Sequence, residues 1–172
     1  MMAQNKLYRM NFLRKEGLFF KEGLIHEDEL WSIQIACTAQ SLRAVTDITY
    51  LYYIRPGSLI TSNTKSKKAL ALEIIVIEGY NFLKERKIHS ISLYHILSNF
   101  INIVLTSNLN DKQEFYGVYS LFRKEASIPV FYRICMNRWN YKLQIISLHN
   151  YLPRKLGAYL LYHFYHRKEK HG

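Results

Sequence analysis

The densest group of reactive side chains is the run His26-Glu27-Asp28-Glu29-Leu30-Trp31, three acids and an imidazole beside an indole. Acids followed by an apolar-periodic stretch mark a helix start. A carboxylate held there has its charged form favoured by the helix dipole. That is the state in which a general base accepts a proton from a hydroxyl. Two readings stand side by side: acids that only offset the dipole, with Asp28 as a cap, or an ionised carboxylate at the helix start available as a general base. Trp31, one turn inside, either packs on a bound ring or belongs to the core. Other chemistry is poorly represented. The seven His include no set with metal-ligand spacing, and His163 and His166, three apart on a helix, read as surface residues. There is no glycine-rich phosphate loop and no Gly-x-Ser-x-Gly turn.

The elements that must position this run are mostly helical. Hydrophobic residues form 49% and charged residues 22% of the 172-residue chain, enough apolar content for a packed core. With only 7 Gly and 3 Pro, the composition favours helices over a loop-rich sandwich. The first 25 residues read as a short helix near 9–16, stopped by Gly17, with a turn at Gly23. A helix follows over 27–41, with Leu30, Ile33, Gln34 and Cys37 on one face. Residues 43–55, rich in Thr, Val, Ile and Tyr, predict one or two strands. The second half predicts further helices. One carries Leu72, Ile75, Val76, Gly79, Phe82 and Leu83 on a face and ends at Lys84, Arg86 and Lys87. The next carries Leu93, Ile96, Leu97, Phe100, Ile101, Val104 and Leu105 at i, i+3, i+4 spacing. Asp111 and Glu114 are spaced as a capping box ahead of Phe115, Val118, Tyr119 and Phe122. Two more helices are expected over 129–148 and 153–167, with a break at Pro153.

An ordered set of segments has a wider likeness. Asn5-Lys6-Leu7-Tyr8-Arg9, Phe12-Leu13, Leu18-Phe19-Phe20, Glu22-Gly23, the His26–Trp31 run and Tyr52-Tyr53-Ile54-Arg55-Pro56-Gly57-Ser58 follow one another at set spacings. In that order the chain resembles the family-2 glycosyltransferases of bacterial capsule and exopolysaccharide synthesis, closely over about residues 5–62 and loosely beyond. The resemblance implies an inverting enzyme of GT-A fold, of which this chain is the C-terminal part: predominantly α within an α+β class, with a small strand element followed by a helical bundle. It divides the chain into an acceptor-side segment, 1–62, and a C-terminal helical region, 63–172. It implies Asp28 as catalytic base with Glu27 beside it, and His26, Glu29 and Trp31 against a saccharide or lipid-linked acceptor. It implies Arg55 and Ser58 near the donor diphosphate, where forked guanidinium donors suit phosphate. Many relatives carry an Arg two residues before the position of Arg55; Tyr53 stands there in this chain. The family's nucleotide-binding half, with its Asp-x-Asp metal motif, has no counterpart here, for the only Asp residues are Asp28, Asp47 and Asp111. No cofactor is therefore expected in this chain, the complete enzyme using a divalent Mg or Mn. Binding of a nucleotide-sugar is expected only with the other half, and the chain alone is expected to be inactive.

Charge is unevenly placed. Of a net +11, residues 123–172 supply +8, from ten Lys/Arg against Glu125 and Glu169. Tyr141, Tyr151, Tyr159, Tyr162, Phe164 and Tyr165 are interleaved with those cations, a combination suited to an anionic membrane surface. The alternative is a non-enzymatic basic module binding membrane or nucleic acid. Nucleic acid ranks second, since no motif for it appears. Cys37 and Cys135 lack metal spacing and read as reduced core thiols. With no apolar leader at the N-terminus, they indicate a cytoplasmic chain, peripheral at most on the inner face of the membrane. Residues 88–110 carry no Lys, Arg, Asp or Glu, yet their Ser, Asn and His favour a core helix over a span. Apolar strand edges left open would favour self-association.

Overall fold

A computed structural model describes residues 5–46, 49–51, 53, 65–126 and 148–171. Over these the protein is predominantly helical: α1 Met10–Glu16, α2 Glu27–Thr38, α3 Lys65–Glu85, α4 Ile91–Ser107, α5 Lys112–Glu125, a 3₁₀ turn Leu148–Tyr151, and α6 Arg154–His171. The helices pack in succession, α2 on α3, α3 on α4, α4 on α5 and α5 on α6, with the 3₁₀ turn against α6. The helix expected over 129–148 falls almost wholly outside the described residues.

Local chemistry explains most boundaries. Gly17, at φ 65°, closes α1 with a Schellman motif: its N–H donates to the Arg14 carbonyl (3.3 Å) and that of Leu18 to Leu13 (2.9 Å). The same pair of bonds ends α3, from Lys87 to Lys84 and from Ile88 to Leu83, with Lys87 in the left-handed region at φ 53°. Ser90 caps α4 by accepting from the Leu93 N–H (3.4 Å). Asp111 caps α5, its Oδ1 accepting from Gln113 N–H (2.8 Å) and Glu114 N–H (3.0 Å). α2 is shorter than the apolar spacing suggests. The Thr38 hydroxyl donates back to the Gln34 carbonyl (2.9 Å), and the chain leaves into extended backbone at Ala39.

The core runs through every helix after α1. Leu30 and Ile33 of α2 join Ile75, Val76 and Leu83 of α3, Leu97 and Val104 of α4, and Phe115 and Tyr119 of α5. Residues 1–62 thus share one core, through α2, with the helices that follow. Gly79 lets three helices meet, since a Cβ there would lie 3.2 Å from Leu97 Cδ2 and 3.5 Å from Ile33 Cδ1. Phe82, Ile96 and Phe100 sit at the margin of their expected faces, only half-buried.

The expected strand element is not seen: among the described residues none lies in a strand. Those of 43–53 that are described are irregular, and Leu42, Val45, Leu51 and Tyr53 are 69–88% exposed. Strand propensity measures fit to a pleated, half-buried surface. Without a ladder to satisfy its N–H and C=O groups, a Val/Tyr-rich segment gains nothing from that propensity.

A polar lock fastens the last helix. Arg123 Nη1 donates to Tyr119 Oη (3.0 Å) and to the His149 carbonyl (2.9 Å), and Nη2 to the Leu152 carbonyl (3.4 Å). Tyr119 Oη lies 2.9 Å from His149 Nδ1. Gly157 sits against this group: a Cβ there would stand 2.4 Å from Tyr119 Oη and 2.6 Å from the His149 carbonyl. One turn earlier on the same face of α5, Phe115 meets the ring of Tyr162 edge-on at 5.3 Å.

Candidate acceptor-side carboxylate site

The site is built from the end of α1 forward. The Schellman turn at Gly17 drives Leu18 into the interior, where it is 2% exposed and its carbonyl accepts from Trp31 Nε1 (3.3 Å). Trp31 is itself 5% exposed, with Tyr8 edge-on at 4.7 Å and Phe20 tilted against it at 4.8 Å. Burial raises the Tyr8 hydroxyl above its ordinary pKa. Of the two readings of Trp31, the structure takes the core one. Its ring is packed by Tyr8 and Phe20 and offers no open face to a sugar, so it acts as the peg that fixes the start of α2.

Around that peg the chain is held to α3 by two ion pairs, Lys21 with Glu78 and Arg86 with Glu16, the second at 2.8 Å. Gly23 at φ 74° turns the chain, Leu24 enters the core, and His26 stands at the N-cap position of α2 with φ 63°. A non-glycine residue in the left-handed region is uncommon, His being among those that tolerate it. Its side chain makes no capping bond; its carbonyl accepts from Glu29 N–H (3.0 Å).

Glu27, Asp28 and Glu29 therefore form the first turn of α2. Asp28 is not the cap, which leaves its carboxylate uncommitted to the helix end. His26, Glu27, Asp28 and Glu29 are all half-buried, so the sequence neighbours remain together at an accessible, electropositive helix terminus. Arg55 and Ser58 lie outside the described residues. Among the described residues no three His, Cys, Asp or Glu side chains are placed to hold a metal ion. At the other end of α2, burial pushes the Cys37 thiol up to about 11 although Arg86 lowers it, which leaves an unreactive thiol.

Sequence reasoning missed the Tyr119–Arg123–His149 cluster. Tyr119 and Arg123 are four apart on one helix, a visible spacing, but His149 arrives from 26 residues beyond Arg123 with no local signal. His166, read as a surface residue, is half-buried with its ring stacked on Tyr162 at 5.5 Å. Among the described residues no helix is long and apolar enough to cross a membrane. Compared with family models, curated proteins and solved structures, the chain matches none.

Proposed function

We propose that this chain is the acceptor-side, C-terminal part of an inverting family-2 glycosyltransferase of surface-polysaccharide synthesis. The observation that carries the reading is the accessible first turn of α2, where Glu27 and Asp28 follow the left-handed His26 on a support pegged by Trp31. Asp28 takes the proton from the acceptor hydroxyl as that oxygen attacks the sugar's anomeric carbon; the nucleotide diphosphate leaves from the opposite face. Glu27, His26 and Glu29 hold the acceptor, and Trp31 acts beneath them as a positioning residue. Arg55 and Ser58 reach the donor diphosphate. Residues 43–55 extend the GT-A sheet once a neighbouring strand is supplied, which accounts for their exposed Leu42, Val45 and Leu51. The nucleotide and metal sites belong to the other half, as does most of the electrostatic stabilisation of the leaving group.

Purified alone, the chain should give no sugar transfer above background. Joined to a nucleotide-binding half it should transfer. The Asp28→Asn variant of the joined protein should then lose on the order of 10²–10⁴-fold in kcat, the usual contribution of a general base. Transfer by the chain alone would contradict the division of labour. An undiminished rate in Asp28→Asn would remove Asp28 from the mechanism.

A further inference from the structure

The polar lock fixes which way α6 faces. Gly157, Ala158 and Leu161 are buried against α5 and the 3₁₀ turn, and Tyr165 Oη donates to Asn102 Oδ1 (2.9 Å) on α4. The opposite face is therefore not free to roll inward. It carries Leu156, Tyr159 and Leu160, at 45%, 48% and 47% exposure, a helical i, i+3, i+4 set. Tyr151, just before the helix, is 63% exposed. Lys155 and Arg167 are exposed at the two ends of this stripe, with Arg154 exposed at the helix start. Over residues 148–171 the sequence has five Lys/Arg against the single acid Glu169.

A solvated basic helix explains the cations but not two leucines and a tyrosine side by side in water. A nucleic-acid groove would place cations along the whole contact; here the middle of the face, Leu156, Tyr159, Leu160 and His163, carries no Lys or Arg. Leucines flanked by a tyrosine and by terminal cations match a lipid interface, with apolar chains at the acyl boundary and charges at headgroup phosphates.

We propose that α6 is an interfacial anchor that lies flat on an anionic bilayer. Leu156, Tyr159 and Leu160 enter the headgroup–acyl boundary, and Lys155 and Arg167 contact lipid phosphate. The inference is independent of the glycosyltransferase reading, because no residue of the α2 site takes part.

The test is flotation of the full chain with phosphatidylcholine vesicles, with and without phosphatidylglycerol. Binding is expected only with the anionic lipid and should weaken with salt. Replacing Lys155 and Arg167 by Gln should cost about fivefold per cation, on the order of twentyfold together. Replacing Leu156, Tyr159 and Leu160 by Ser should cost on the order of tenfold or more while circular dichroism stays unchanged, since these side chains are exposed. A Leu160→Trp variant in a Trp139→Phe background locates the face directly: acyl-brominated lipid should quench its emission beyond that of the Trp139→Phe chain, whose one remaining tryptophan, Trp31, is buried. No flotation with anionic vesicles, equal flotation of the Ser variant, or no added quenching would overturn the proposal. So would binding to single-stranded DNA that outcompetes the vesicles, which would assign the cations to nucleic acid.

Discussion

The stretch up to residue 53 and the helices from α3 onward use apolar residues in opposite ways. α3, α4 and α5 bury a continuous stripe, in which Ile75, Val76, Leu97, Val104 and Phe115 have no exposed surface at all, and leave Leu70, Ile74, Ile91 and Ile103 exposed outside it. In the earlier stretch only Leu18, Leu24, Leu30, Trp31 and Ile33 are inside, whereas Leu7, Met10, Phe19, Phe20, Leu42, Val45, Leu51 and Tyr53 are exposed. The proposed carboxylate site sits in the second kind of region. A stretch that keeps a firm peg under its carboxylates while leaving much apolar surface uncovered is shaped to receive something.

Substitutions can break or sharpen that contrast. The largest effect is expected in the helical core: Phe115→Ala removes a fully buried ring and should cost about 3–5 kcal/mol in denaturant unfolding. A loss under about 1 kcal/mol would mean that α5 and α6 are not part of the cooperative core. Next comes Gly157→Ala, whose methyl group would collide with Tyr119 Oη and a main-chain carbonyl. It should cost about 1–3 kcal/mol by overpacking and loosen α6 first, read as faster amide exchange there. Asp111→Ala, which removes both capping acceptors of α5, should cost about 1 kcal/mol. Smallest is the paired change Leu42→Ser and Leu51→Ser, expected within about 0.5 kcal/mol of the parent because both side chains already face water. That pair should instead reduce self-association in sedimentation velocity. A large stability loss from it would erase the contrast between the two regions.

What the sequence disclosed follows the range of the interactions involved. Gly17, Asp111 and the face of α4 act within a turn or two, so their types and spacing suffice to place a helix stop, a cap and a buried stripe. The helical class and the position of Glu27–Glu29 at the start of α2 were legible for the same reason. The strand expected over 43–55 is not seen among the described residues, since Val, Ile and Tyr become a strand only beside another, and that neighbour is non-local. Trp31 was ambiguous because an indole beside acids looks alike in a core and on a platform; only Tyr8 and Phe20 arriving from earlier in the chain decide it. The exposed face of α6 was half legible. Its aromatic and basic composition is plain, but which side faces water depends on Gly157 meeting Tyr119.

The central claim, that the carboxylates of α2 serve as the acceptor side of a two-part glycosyltransferase, is tested most directly in the genomic DNA immediately upstream of the codon for Met1. The account predicts an open frame, in register or shifted by one base, encoding a nucleotide-binding α/β half with an Asp-x-Asp motif. DNA without such a frame would contradict it, and the function would then have to be sought in the surface presented by α6.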